Sequence, residues 1–198
     1  MDVSQALEHL NEIRHHLGRN EIYRGYRSKT LALMGGVGLG GALFLFLGWS
    51  AAKPLERIGF WVAMAALNMA IAAWEILGDY GELKTDHQRR TTRRTVGQFL
   101  PTMAAGVLMT MVFVSQNHNL DLLPGIWAVL FSLGIFASRP YLPRGVGWVG
   151  AFFLAAGALL LCFPGEALSQ PLYMGGVFGG GHFMLAYVMY QNLERETI

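Results

Sequence analysis

The chain has 198 residues, of which 53% are hydrophobic and only 14% charged, and a formal net charge of +2 at pH 7. An ordinary soluble domain carries roughly 25% charged residues, so this composition argues against a water-soluble globule and fits one membrane-embedded domain. A single cysteine, Cys162, excludes an intramolecular disulfide and a zinc cage built on thiolates.

At the N-terminus, Val3, Ala6, Leu7, Leu10, Ile13 and Leu17 recur at helical spacing, with Glu8, Glu12, His15 and Arg19 on the other side. That pattern predicts an amphipathic helix lying at the membrane surface. Tyr23, Arg24, Tyr26, Arg27 and Lys29 follow, a mixture of rings and cations suited to lipid headgroups. Residues 1–30 therefore read as a cytoplasmic interfacial segment. It is too charged for a cleavable signal peptide, so the first apolar stretch reads as a retained signal anchor.

Six stretches then lack Asp, Glu, Lys and Arg, each of at least 17 residues. A helix rises 1.5 Å per residue, so about 20 residues cross a hydrocarbon core of roughly 30 Å. The predicted spans are Leu31–Trp49, Ile58–Gly78, Val96–Ser115, Leu122–Ser138, Gly145–Phe163 and Leu172–Gln191. The expected fold is an all-α bundle of six transmembrane helices over residues 31–191, with a short cytoplasmic tail at 192–198. Short links make consecutive helices antiparallel neighbours. With both termini inside, 13 basic residues fall on the cytoplasmic side and only Lys53 and Arg57 on the other. This bias points to a multi-pass protein of the cytoplasmic (inner) membrane. Tryptophans and tyrosines cluster near the span ends, as interfacial rings do. Pro101 alone among the prolines falls well inside a span, where it frees the carbonyl of Gly97 and should bend the helix.

Glycine crowds the first and last spans. Gly36 and Gly40, Gly175 and Gly179, and Gly176 and Gly180 are spaced four apart, which lets helix backbones approach closely. They predict tight packing within one bundle or, on an outward face, self-association into a homo-oligomer. No strand precedes them, so they are not nucleotide-binding loops.

The second span carries a polar stripe of Asn68, Ala72, Glu75 and Asp79 on one helix face. A carboxylate at the depth of Glu75 costs on the order of 2–3 kcal/mol unless it is paired, hydrated or neutralised. That cost suggests a protonatable or cation-binding site, or else contact with the interface or with nearby arginines. His182 lies near the middle of the sixth span among small neighbours. It suits a relay, a ligand contact, or one hydrogen bond to Asn68 at similar depth. Gln98 and Thr102 share a face beside Pro101 and can satisfy its freed carbonyl or line a cavity. Asn68, Glu75, Gln98, Thr102 and His182 form the one candidate intramembrane cluster for an ion or ligand. Arg89, Arg90, Arg93 and Arg94, with Arg24 and Arg27, form a basic face for anionic lipid headgroups or a partner. Too few ligands exist for a metal, no cofactor motif is present, and the basic loop lacks a nucleic-acid fold. Gly-x-Ser-x-Gly, His-Glu-x-x-His and Walker sequences are absent from the chain, which leans away from an enzyme. Two functions fit. The first is a small-solute or ion transporter or channel, preferred because Asn68 and His182 fall at mid-membrane. The second is a non-transporting sensor or accessory subunit that binds a partner or lipid through its basic face.

Overall fold

The computed structural model describes residues 27–48, 52–82, 86–116, 119–164 and 171–195. The expected surface helix and Arg24 lie outside these residues. Among those described, the chain is helical and contains no strand. The helices are α1 (Ser28–Gly48), α2 (Pro54–Glu82), α3 (Asp86–Ser115), α4 (Leu123–Ser138), α5 (Val146–Cys162) and α6 over residues 171–194. Short 3₁₀ turns at Leu120–Leu122 and Arg139–Tyr141 bracket α4. Four segments, Ser28–Gly48, Pro54–Gly78, Arg89–Ser115 and Leu120–Tyr141, are long and apolar enough to cross a membrane. The fifth helix is a shorter apolar rod. The sixth is regular over Pro171–Met174 and Gly180–Met189 but winds as a wide π-turn at Gly175–Gly179 and again at Tyr190–Glu194.

Helices that pack along one another run antiparallel: α1 with α2, α3 with α4, α4 with α5, α5 with α6, and α6 with α1. Thr30 meets Glu75 and Gly41 meets Met64 between α1 and α2. The hydroxyl of Ser138 donates to the carbonyl of Thr95 (3.3 Å), and the Trp127 indole donates to Thr110 (2.9 Å), between α3 and α4. Ser132, fully buried, donates to the carbonyl of Gly150 (2.8 Å) between α4 and α5. Helix α6 returns along α1 and also packs on α5. All helix directions therefore alternate, and one end of the bundle gathers the starts of α1, α3 and α5 with the ends of α2, α4 and α6. This end carries Arg27, Arg89, Arg90, Arg93, Arg94, Arg139 and Arg144, and is called the basic end below.

The core lies among α1, α4, α5 and α6, with Leu31, Ala128, Ile135, Val149, Phe153, Leu185 and Met189 buried together. Large apolar side chains point outward instead: Trp74 is 84% and Trp148 79% exposed, and Leu47, Leu77 and Leu108 are similarly placed. A water-soluble surface rarely shows so much contiguous apolar area, whereas a lipid-facing one requires it. Helix α3 makes the point most sharply, since Thr92 and Thr95 are its sole buried side chains among those described.

Two differences from the sequence expectation have clear causes. Helix α3 begins at Asp86, ten residues before the expected span, because its arginines are good helix formers and Thr92 and Thr95 turn inward. It also continues through Pro101 without interruption. Second, the close helix contacts use only part of the expected glycine set, Gly175 and Gly179, together with Gly35 and Gly38. Gly35 and Gly38 approach Gly179, and Gly175 sits against Ala42, whereas nothing lies within 4 Å of a Cβ built on Gly36, Gly40, Gly176 or Gly180. A four-residue spacing defines a stripe on a helix but not the direction in which that stripe points.

This contrast gives a test by substitution. Alanine is favoured over glycine in a helix by about 1 kcal/mol, so Gly36→Ala should leave stability unchanged or raise it. Gly175→Ala places its methyl onto Ala42, and overpacking of that kind typically costs about 1–3 kcal/mol. Thermal unfolding of the two purified variants in detergent should shift in opposite directions from wild type, or at least separate clearly.

Candidate functional site

The inward face of α2 is the polar stripe read from the sequence. Met64, Asn68, Ala72 and Glu75 are half-buried on it, following the buried Trp61. Towards the basic end, the Thr30 hydroxyl donates a 2.6 Å hydrogen bond to Oε1 of Glu75, and Oε2 is also buried. Thr30 is the third residue of α1, so the carboxylate sits beside a helix N-terminus, where the macrodipole favours negative charge. Thr30 thus joins the neighbours expected for Glu75 from the sequence, and it is one that the local pattern did not name. The signal was present, because Thr30 is the last polar residue before the first span. What was missing was the α1–α2 register.

The same register, set by Gly41 on Met64 and Thr30 on Glu75, puts Asn68 at the level of Val37. Its Oδ1 is buried and has no hydrogen-bond partner among the described residues. An amide oxygen in that state costs free energy that a solvated one does not.

His182 lies at nearly the same depth but on the other flank of α1, since α1 and α6 meet at Gly35 with Phe183 and at Gly38 with Gly179. It is 6% exposed. Its Nδ1 lies 2.7 Å from the carbonyl oxygen of Phe178, one turn back on its own helix. A carbonyl can only accept, so Nδ1 carries the hydrogen and Nε2 presents a lone pair when the ring is neutral. Around the imidazole stand Phe131 from α4 (centroids 5.5 Å apart) and Phe153 from α5 (6.5 Å). Those rings pack in turn on one another at 4.7 Å and on Phe178 at 6.1 and 5.6 Å. The surroundings of His182 are filled by aromatic carbon. The π-turn just before it, Gly175–Gly179, comes where helix α1 presses backbone against backbone. Such turns recur at functional positions, and a run of glycines was its one trace in the sequence.

The remaining members of the expected cluster lie elsewhere. Gln98 is exposed on α3. The Thr102 hydroxyl donates to the carbonyl of Phe99 (2.7 Å), not to the Gly97 carbonyl freed by Pro101, and packs on Gly134 of α4. Asn68, Gln98, Thr102 and His182 make no hydrogen bond to one another or to Glu75. The five residues thus occupy separate places: the α1–α2 interface, the aromatic core, and the α3 surface with its α4 seam. Among the described residues, no group of three His, Cys, Asp or Glu side chains is placed to hold a metal ion.

The basic end is more cohesive. Arg89, Arg90, Arg93 and Arg94 are all exposed on the first turns of α3, where a cation works against the helix dipole by about 0.3–1 kcal/mol in the first turn. The Ser138–Thr95 bond draws the end of α4 against these turns. The next residue, Arg139, lays its guanidinium over the first turn of α5, with Nε only 3.2 Å from a Cβ built on Gly147. Arg139 and Gly147 were not singled out in the sequence, where they read as a loop cation and one more membrane glycine.

Comparison with known protein families, with curated proteins and with solved structures finds no match to this chain. The geometry is therefore the whole basis for a functional reading.

Replacing Thr30 by Val, Glu75 by Gln and both together tests the α1–α2 bond. A double-mutant cycle on unfolding in detergent should return a coupling of about 0.5–1.5 kcal/mol, the range for polar bonds between membrane helices. Additive single effects would show that the bond contributes nothing to holding α2.

Proposed function

We propose that this protein crosses the inner membrane six times with both termini in the cytoplasm, and that it is a non-transporting component, a sensor or accessory subunit that acts through its basic cytoplasmic end. Alternating helix directions support the count of six, and the excess of arginine at one end supports the orientation. The observation that carries the role is how three interior polar side chains are each closed off separately. Glu75 takes Thr30, His182 takes the carbonyl of its own helix within a cage of phenylalanines, and Thr102 takes the carbonyl of Phe99. A solute pathway needs polar groups converging on a shared wet path, and these diverge. What the molecule offers to the cell is the exposed arginine surface.

A second reading has one observation in its favour. The buried Oδ1 of Asn68 shares the inward face of α2 with Glu75, which favours a narrow ion or small-solute path along the α1–α2 seam. Proteoliposomes separate the two. The expected result is no flux of protons, sodium or potassium above that of empty vesicles. Protein-dependent flux that disappears in Glu75→Gln would overturn the non-transporting role and establish the second reading.

Orientation is tested in intact cells by single cysteines in a Cys162→Ser background. Positions Asn117 and Ser169 should react with a membrane-impermeant thiol reagent added outside, and Lys84 should not. Protection of Asn117 and Ser169 with labelling of Lys84 would reverse the orientation. A mixed pattern would remove the count of six.

A further inference from the structure

The sequence contains twelve arginines but only three lysines. At the basic end of the described chain the preference is stronger, since α3, the α4–α5 turn and its flanks carry arginine throughout and Lys29 is the exception. A diffuse attraction to a negatively charged membrane does not distinguish the two residues, because it reads charge alone. Arginine is distinguished by its planar fork, which takes two phosphate oxygens at once. The composition therefore suits discrete phosphate recognition better than a general surface potential.

The geometry gives that recognition a place. Ser138 donates to the carbonyl of Thr95, which brings Arg139 beside the turn that bears Arg93 and Arg94. Arg139 is exposed to solvent but lies along the start of α5. Its guanidinium rests on the backbone of Gly147, and a side chain at that position would meet it at 3.2–3.6 Å. A guanidinium so supported gives up less rotamer freedom when it binds. Below it, α4 is covered on one side by α3 and on the other by α5, and only a narrow strip including Leu133 and Ala137 remains exposed. Trp148, 79% exposed, follows Gly147 directly. Arginines thus stand at the membrane end of an apolar strip flanked by two helices and an interfacial ring. That combination matches a phosphate headgroup with acyl chains attached, and it does not match a free anion or an acidic peptide, neither of which has use for the apolar strip.

We propose that Arg93, Arg94 and Arg139 form a binding site for the phosphate of an anionic phospholipid, whose acyl chains lie along the exposed strip of α4 between α3 and α5. This deepens the reading of the basic end as the working surface and rests on its facing the lipid headgroups. The binding measurement itself does not depend on which leaflet that end faces, so it can fail or succeed independently of the topology.

Full-length protein is reconstituted in mixed phosphatidylcholine and phosphatidylglycerol nanodiscs, released, and analysed by native mass spectrometry for retained lipid. Wild type should retain phosphatidylglycerol in preference to phosphatidylcholine. The Arg94→Gln/Arg139→Gln double variant should lose that preference by about tenfold or more, the size expected for two phosphate contacts. Lys53→Gln, at the opposite end, should behave as wild type. Arg139→Lys preserves charge and, with it, folding and bulk attraction, and should still lose most of the preference because its ammonium cannot form the paired contact. Full retention by Arg139→Lys would overturn the proposal in favour of diffuse electrostatics. Displacement of the lipid by inorganic phosphate alone, or equal binding of a soluble acidic peptide in lipid-free detergent, would overturn it in favour of a free anion or a protein partner.

Discussion

In lipid, helices gain nothing by hiding apolar surface from one another, because the tails around them are equally apolar. Association then depends on atoms in close contact and on polar groups satisfied between helices. This single constraint organises the molecule. Where α1 meets α6, glycine removes the side chains so that Gly35 and Gly38 lie on Gly179. Where α4 meets α5, Gly125 and Gly157 do the same, and Ser132 closes the seam with a bond to the Gly150 carbonyl. Many bulky residues that a soluble protein would bury, Trp74, Trp148, Leu47 and Leu77 among them, are turned outward.

The same constraint explains the uneven attachment of the helices. Helices α1, α4, α5 and α6 share a core, α3 packs closely along α4 with Phe99 and Thr102 against Gly134, and α2 stands at the margin. Specific contacts fix both outer helices in place: for α3 they include hydroxyl and indole bonds, Ser138 to Thr95 at one end and Trp127 to Thr110 towards the other. For α2 they are Glu75 with Thr30 at the basic end and, at the other, Ile58 with Leu123 and Phe113. In a low-dielectric surrounding such bonds set position more sharply than apolar contact does, because an alternative placement leaves a polar atom unmet. Asn68 is where this rule is broken, since its buried Oδ1 has no hydrogen-bond partner among the described residues.

Function, on the reading proposed here, is displaced from the interior to one end. A core sealed by Phe131, Phe153 and Phe178 around His182 gives rigidity to the frame that carries the arginines. The Arg139–Gly147 contact is the clearest link between frame and surface, since a buried seam of α4 and α5 fixes the place of an exposed cation.

How much of this was legible in the sequence depends on the kind of constraint. Helix content, the long apolar segments and the position of the inward stripe on α2 were all written in local patterns: charge-free length, helical periodicity and the spacing of Asn68, Ala72 and Glu75. Such features depend on how one segment meets solvent or lipid, and each segment reports that by itself. Which polar groups meet was decided only by tertiary structure. Glu75 bonds to a residue 45 positions away, and His182 and Asn68 share a depth but lie on opposite flanks of α1. Likewise, four-residue spacing marked Gly36 and Gly40, but the rotation of α1 about its axis turns Gly35 and Gly38 onto α6 instead. Rotation and register are properties of helix pairs, fixed by the fit of two surfaces, and no single segment carries that information.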